Sequence, residues 1–222
     1  MAKYDPESEK WAKASGPVVD QLVAENPVFL GLWMQGFRPI KGKLLESLRS
    51  IYGNPNGRES ERTLATNILA DYAGDQLPVL ADLLMDADEK QFAVIYAKLK
   101  EQGDKSLPLL AGEIDKTLPP DLPSSDGRRE TLSERQANAA VALLRMNQSA
   151  KVWPLLKHSP DPRVRSYLIH RLSPLGADAK AIVKRLEEET DITIRRALLL
   201  SLGEYGEKDF TLEDRKALLP KL

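Results

Sequence analysis

The chain has 222 residues, 42% of them hydrophobic and 29% charged, enough to bury a substantial core in one large domain or two small ones. A formal net charge of −1 gives the whole molecule no electrostatic pull toward nucleic acid or anionic lipid. The lack of cysteine excludes disulfides, thiolate nucleophiles and cysteine-bound zinc, and suits a reducing compartment.

The first residues carry no signal-peptide core. The best apolar run, Val28 to Met34, is far shorter than the roughly 20 residues that cross a bilayer. A soluble chain, cytoplasmic by default, is expected. Strand signals are weak: alternating Val/Ile/Thr runs are missing, and Asn56-Gly57 and Asp126-Gly127 lie in polar loops.

A leading helical segment is predicted over 5–37. Within it Phe29, Trp33 and Phe37 recur every fourth residue, a helix stripe that reads first as core. Residues 28–37 are the most apolar stretch, loosened by Gly31 and Gly36, and a second reading docks them against a neighbouring domain. Helix pairs are predicted next over 39–74, 75–103, 104–148, 149–176 and 177–207. Their core stripes include Leu64, Ile68, Leu69 and Tyr72, then Phe92, Ile95 and Leu99, then Ala140, Leu143 and Leu144. A Pro/Ser/Gly run from Leu118 to Gly127 breaks the third pair, and a flexible surface loop is expected over 118–130. Residues 208–222 read as a first helix without a second. There Leu212, Leu218, Leu219 and Leu222 lack a partner helix, so the natural chain is expected to continue beyond them as part of a larger protein.

Internal similarity organises these helices. Asp161-Pro162-Arg163-Val164-Arg165 aligns with Asp191-Ile192-Thr193-Ile194-Arg195 at a shift of 30 residues (191 − 161), continuing at Leu168/Leu198, Leu172/Leu202 and Gly176/Gly206. An earlier copy keeps the frame at Arg62, Ala65, Leu69 and Ala73; around Arg135 and Leu143 it slips by one residue. Asp161 before Pro162 is a strong helix start, and the glycines are good helix stops. A shorter Pro-bearing helix precedes each of these, as in Leu77-Pro78, Leu107-Pro108, Trp153-Pro154 and Leu219-Pro220. A period near 30 residues built from helix pairs predicts an all-α superhelix, a solenoid of about five pairs.

The pattern Asp-x-x-Val/Ile-Arg-x-x-Leu-x-x-x-Leu-x-x-x-Gly resembles short HEAT repeats, best at 161–176 and 191–206. That resemblance implies a polar ladder between repeats, formed by Asp161, Arg165, Asp191 and Arg195. The strings Glu61–Ala73, Val152–Leu156, Arg165–Leu172 and Arg196–Glu204 also resemble the HEAT-like region of large bacterial proteins that join a serine/threonine kinase domain to a formylglycine-generating-enzyme-like domain. The likeness implies a solenoid beside catalytic domains; this chain carries neither domain's motifs.

Motifs for chemistry are sparse. His158 and His170 have no chelating partner one turn away, and phosphate-binding glycine loops and Gly-x-Ser-x-Gly are missing. The acidic clusters Glu187–Glu189 and Asp82, Asp86, Asp88, Glu89 sit at helix ends, where capping and solvation explain them. Neither cofactor nor metal is expected. Between 151 and 200 ten basic residues outnumber six acids, leaving that stretch at +4 and the remainder at −5. A basic concave face could take nucleic acid, as in DNA glycosylases built on HEAT-like repeats, but stacking aromatics are few there. The leading expectation is a non-catalytic interaction or scaffolding module that binds a protein segment or neighbouring domain. The alternatives are a nucleic-acid-binding or glycosylase-like protein and a passive spacer. Candidate surface residues are Phe29, Trp33, Phe37, Arg163, His170 and Arg171.

Overall fold

A computed structural model describes residues 2–221, and among them there are twelve α-helices joined by turns and short 3-10 segments, with no strand. Leu222, the last of the apolar residues expected to lack a partner, lies outside the described residues. The chain divides into two compact units, residues 1–80 with 94–102, and residues 81–93 with 103–222.

The first unit holds α1 (Lys10–Ala24), α2 (Pro27–Phe37), α3 (Lys41–Tyr52) and α4 (Glu59–Tyr72), with the start of α5 (Leu77–Met85) and α6 (Glu89–Glu101) from Val94 onward. Helix α3 packs on α1 and α4. Val19, Leu22, Leu44, Leu48, Ile68, Leu69, Ile95 and Leu99 form the core. Tyr72 is buried in it, and its hydroxyl donates to the Met34 carbonyl at 2.9 Å. Burial pushes the Tyr72 phenol up to about 12. Asn26 starts α2 by accepting from the Val28 N–H at 3.0 Å, and Pro27 occupies the first turn, where its missing N–H costs nothing.

The second unit contains α7 (Leu107–Ile114), α8 (Gly127–Arg145), α9 (Arg163–Arg171), α10 (Ala179–Glu188), α11 (Ile192–Gly203) and α12 (Leu212–Leu218). Helix α8 packs against both α7 and α9. Every residue from Gln136 to Leu144 is buried, so this helix is enclosed all round rather than along the single stripe expected at Ala140, Leu143 and Leu144. Its alanines 137, 139, 140 and 142 let neighbours approach closely on several sides.

Several local expectations are corrected. The loop expected over 118–130 ends at Asp126, whose carboxylate accepts from the Arg128 N–H at 2.9 Å and starts α8 at Gly127; residues 127–130 are helical. The Pro-bearing first helix of the 149–176 pair is replaced by two 3-10 turns, Ser149–Lys151 and Trp153–Leu156. Asn147, in the left-handed region at φ 62°, precedes these turns, and Pro160 and Pro162 follow them. The aligned glycines also differ. Gly176 is left-handed at φ 75°, and the following Ala177 N–H returns to the Leu172 carbonyl, whereas Gly206 has no positive φ. Asn147 plays the Gly176 part after α8, with the Gln148 N–H returning to the Leu143 carbonyl. At α12, Leu218 is buried while Leu212 and Leu219 are exposed.

Candidate interaction surface

The four residues expected to form a polar ladder all meet backbone, and the structure does not join them as Asp–Arg pairs. Asp191 starts α11 by accepting from the N–H groups of Thr193 (2.8 Å) and Ile194 (3.3 Å). The Thr193 hydroxyl and these N–H groups hold its carboxyl down at about 2. Asp161 accepts from the Arg163 N–H at 3.2 Å and pairs with the Arg163 guanidinium at 2.8 Å. Arg165 donates to the Leu156 carbonyl at 2.9 Å and to the Thr193 carbonyl at 3.2 Å. Arg195 donates to the Leu186 carbonyl at 2.8 Å and the Glu189 carbonyl at 3.3 Å.

A common device underlies this. Arg62 reaches the Tyr52 carbonyl at 3.5 Å and Arg215 the Tyr205 carbonyl at 2.5 Å, so four arginines each clasp a carbonyl nine or ten residues back, in the last turn of the preceding helical or 3-10 element or just past it. Those carbonyls have lost their intrahelical donors, and a guanidinium with five N–H groups supplies replacements. An arginine in the early part of each of these helices therefore ties it to the end of the element before it.

The candidate polar residues on α9 are likewise engaged within the fold. Arg163 meets the Glu130 carboxylate at 3.0 Å and the Ser124 carbonyl at 2.5 Å. His170 Nδ1 lies 3.0 Å from Glu204 Oε1. Arg171 donates to the Glu134 carbonyl at 3.1 Å and to Asn138 Oδ1 at 2.7 Å, and lies over the Tyr167 ring at 4.9 Å. Elsewhere in the basic stretch, Lys151 pairs with Asp115, Lys157 with Asp191 and Arg185 with Glu189. Much of its positive charge is thus neutralised locally.

Two arrangements were not anticipated from the sequence. Arg135 gathers carboxylates of Asp82, Asp86 and the buried Glu113, the last at 2.7 Å. Burial pushes Glu113 up, yet hydrogen bonds from Arg135 and Lys116 outweigh it and leave the carboxyl below its usual range. One and three residues further along α8, buried Gln136 and Asn138 close two helix ends. The Gln136 amide donates to the carbonyls of Glu113, Ile114 and Lys116, and the Asn138 amide to those of Leu84, Met85 and Ala87. The slipped frame at Arg135 was the available signal: this arginine binds carboxylates instead of a helix end.

The apolar candidates behave otherwise. Helix α2 buries only Leu30 and leaves Val28 78%, Phe29 51%, Leu32 69% and Trp33 49% exposed. The core reading of Phe29 and Trp33 is therefore corrected, because α2 has apolar side chains on all sides and its unit covers one of them. Trp33 and Phe37 stack with centroids 6.0 Å apart. With Ala14, Pro17, Val18 and Leu22 of α1 they line an apolar groove of about 340 Å³, whose polar members are Gln21 and Glu25. Val28 and Leu32 belong to the same surface; the signal for them was the lack of any charge from Pro27 to Phe37.

Comparison with known proteins yields no matching family model, no matching curated relative and no matching solved structure. Among the described residues, no group of three or more His, Asp or Glu is placed to hold a metal ion, and no helix is long and apolar enough to cross a membrane. What the α1–α2 surface can do is desolvate: it offers aromatic and branched side chains to a complementary apolar surface.

Proposed function

We propose that the chain is a non-catalytic interaction module built on HEAT-like helix pairs, and that it binds a protein segment through α2. One observation carries the reading: an eleven-residue helix without a charge exposes Val28, Phe29, Leu32 and Trp33 to solvent. Exposed apolar patches of this kind mark contact sites more often than scattered single residues do. Aromatic anchors such as Trp33 dominate the energetics of protein interfaces. The HEAT-like reading draws support from Arg165 and Arg195, 30 residues apart, each donating to a carbonyl nine residues back in the element before it. In such an arrangement the repeats supply rigidity and α2 supplies recognition.

A photo-crosslinking residue at Leu32 tests this, with the same residue at exposed Lys208 as control. Adducts at position 32 whose partner peptide is apolar, and none from position 208, are expected. No polypeptide adduct at position 32, from purified chain or from extract of the source cells, refutes the reading.

A further inference from the structure

The chemistry of α2 also says what sort of partner suits it. We propose that its occupant is α2 of a second copy of this chain, paired antiparallel about a two-fold axis; this rests on the reading of α2 as a docking face.

Three observations converge. In a two-fold contact the same patch meets itself, so a charge near the axis faces its own like. Helix α2 is free of charge over its whole length, in a chain where 29% of residues are charged. The flanks are the second observation. Glu25 precedes the helix and Arg38 follows it, and their midpoint falls at Gly31–Leu32. An antiparallel pair centred there sets Glu25 of each copy beside Arg38 of the other, and the helix dipoles run oppositely. Arg38 bridges Asp71 at 2.5 Å yet stays half exposed, so its guanidinium keeps donors for a second carboxylate.

Area is the third. The exposed parts of Val28, Phe29, Leu32 and Trp33 sum to about 450 Å² per copy, taking full side-chain areas of roughly 150–250 Å². Two copies, with the Pro17 and Val18 rim of α1, bury about 1,100 Å², at the low end for specific complexes. The expected dimer is accordingly one of modest affinity. A membrane suits the surface less well, since α2 lacks the basic face of interfacial helices.

Sedimentation equilibrium of the 222-residue chain, from about 5 to about 500 µM, should show a monomer–dimer equilibrium with a dissociation constant on the order of 10 µM. Leu32→Glu should weaken it at least about tenfold by burying a charge against itself. Leu32→Ser should weaken it less, and both should keep the wild-type circular dichroism, because Leu32 is exposed. Glu25→Arg should weaken the dimer, and adding Arg38→Glu should restore it. A chain monomeric throughout the range overturns the proposal, as does a dimer that Leu32→Glu leaves intact. Crosslinks from position 32 to other proteins only, with a monomeric chain, sink the second copy but keep the docking face; no crosslink at all sinks both.

Discussion

Replacing Asn138 by Ala should strongly destabilise the second unit. Asn138 is buried, and its amide donates at 2.9 Å to Ala87 and 3.0 Å to Met85, with a longer contact of 3.3 Å to Leu84. Its oxygen accepts from Arg171 at 2.7 Å. Two well-placed neutral hydrogen bonds are worth about 1 kcal/mol each and the charge-assisted one about 1.5–2, so the expected loss is about 3–4 kcal/mol. Urea unfolding followed by far-ultraviolet circular dichroism measures it, with the transition shifted to lower urea and its slope unchanged. A cycle with Arg171→Met should show coupling of about 1–2 kcal/mol, since the two side chains share one bond. A loss below about 1 kcal/mol at unchanged slope would refute the view that this amide closes the end of α5.

Further outcomes follow from the charged groups. Arg135→Met should cost about 3 kcal/mol at pH 7, because Glu113 stays buried with its main partner gone. In the native chain Glu113 titrates below 4.5, so its stabilisation is complete above that pH and fades as pH falls through the folded value. Without Arg135 burial raises the same carboxyl, so acidification relieves the variant and its deficit should narrow between pH 7 and pH 4 in parallel urea titrations. Arg195→Ala should lose about 1–2 kcal/mol by orphaning the Leu186 carbonyl, and Arg195→Lys should recover only part, since an ammonium cannot reproduce the fork reaching Leu186 and Glu189. Asp191, at about 2 when folded against 3.8 ordinarily, favours the fold above pH 3.8 and loses that effect toward pH 2. Asp191→Asn keeps the cap and should flatten the acid limb of the thermal-unfolding pH profile; an unchanged limb counts against the cap's role.

The helical character of the chain was legible because local signals carry it. Asp191 ahead of Ile192 and the stripe Leu64, Ile68, Leu69 and Tyr72 depend on neighbours within a turn or two. Burial was less legible. The apolar spacing of Phe29, Trp33 and Phe37 does not differ in kind from that of Phe92, Ile95 and Leu99. Yet Phe92, Ile95 and Leu99 are buried, while Phe29 and Trp33 stand exposed. Periodicity states which residues share a helix face; what covers that face depends on chain segments remote in sequence. Asn138 and Gln136 were silent for the same reason. Their partners lie 20 to 54 residues away, and nothing near them in sequence marks a helix end waiting to be closed.

The arginine repeat carries the division of labour furthest. Ion pairs between successive turns would make Asp161, Arg165, Asp191 and Arg195 a continuous charged seam that a ligand could compete for. Carbonyl clasping removes that option: the aspartates hold helix starts, the arginines hold helix ends, and both kinds of group are satisfied before any partner arrives. The same holds for Arg163 and Arg171, held by Glu130 and Asn138. Under the function proposed above, recognition is left to groups that these arginines and aspartates do not use. Helix α2 is such a group: it lies outside the 30-residue frame, carries no charge to be neutralised, and gains most from losing water. Substitutions in the frame should therefore move stability and leave partner binding intact, and substitutions at Val28, Leu32 or Trp33 should do the reverse.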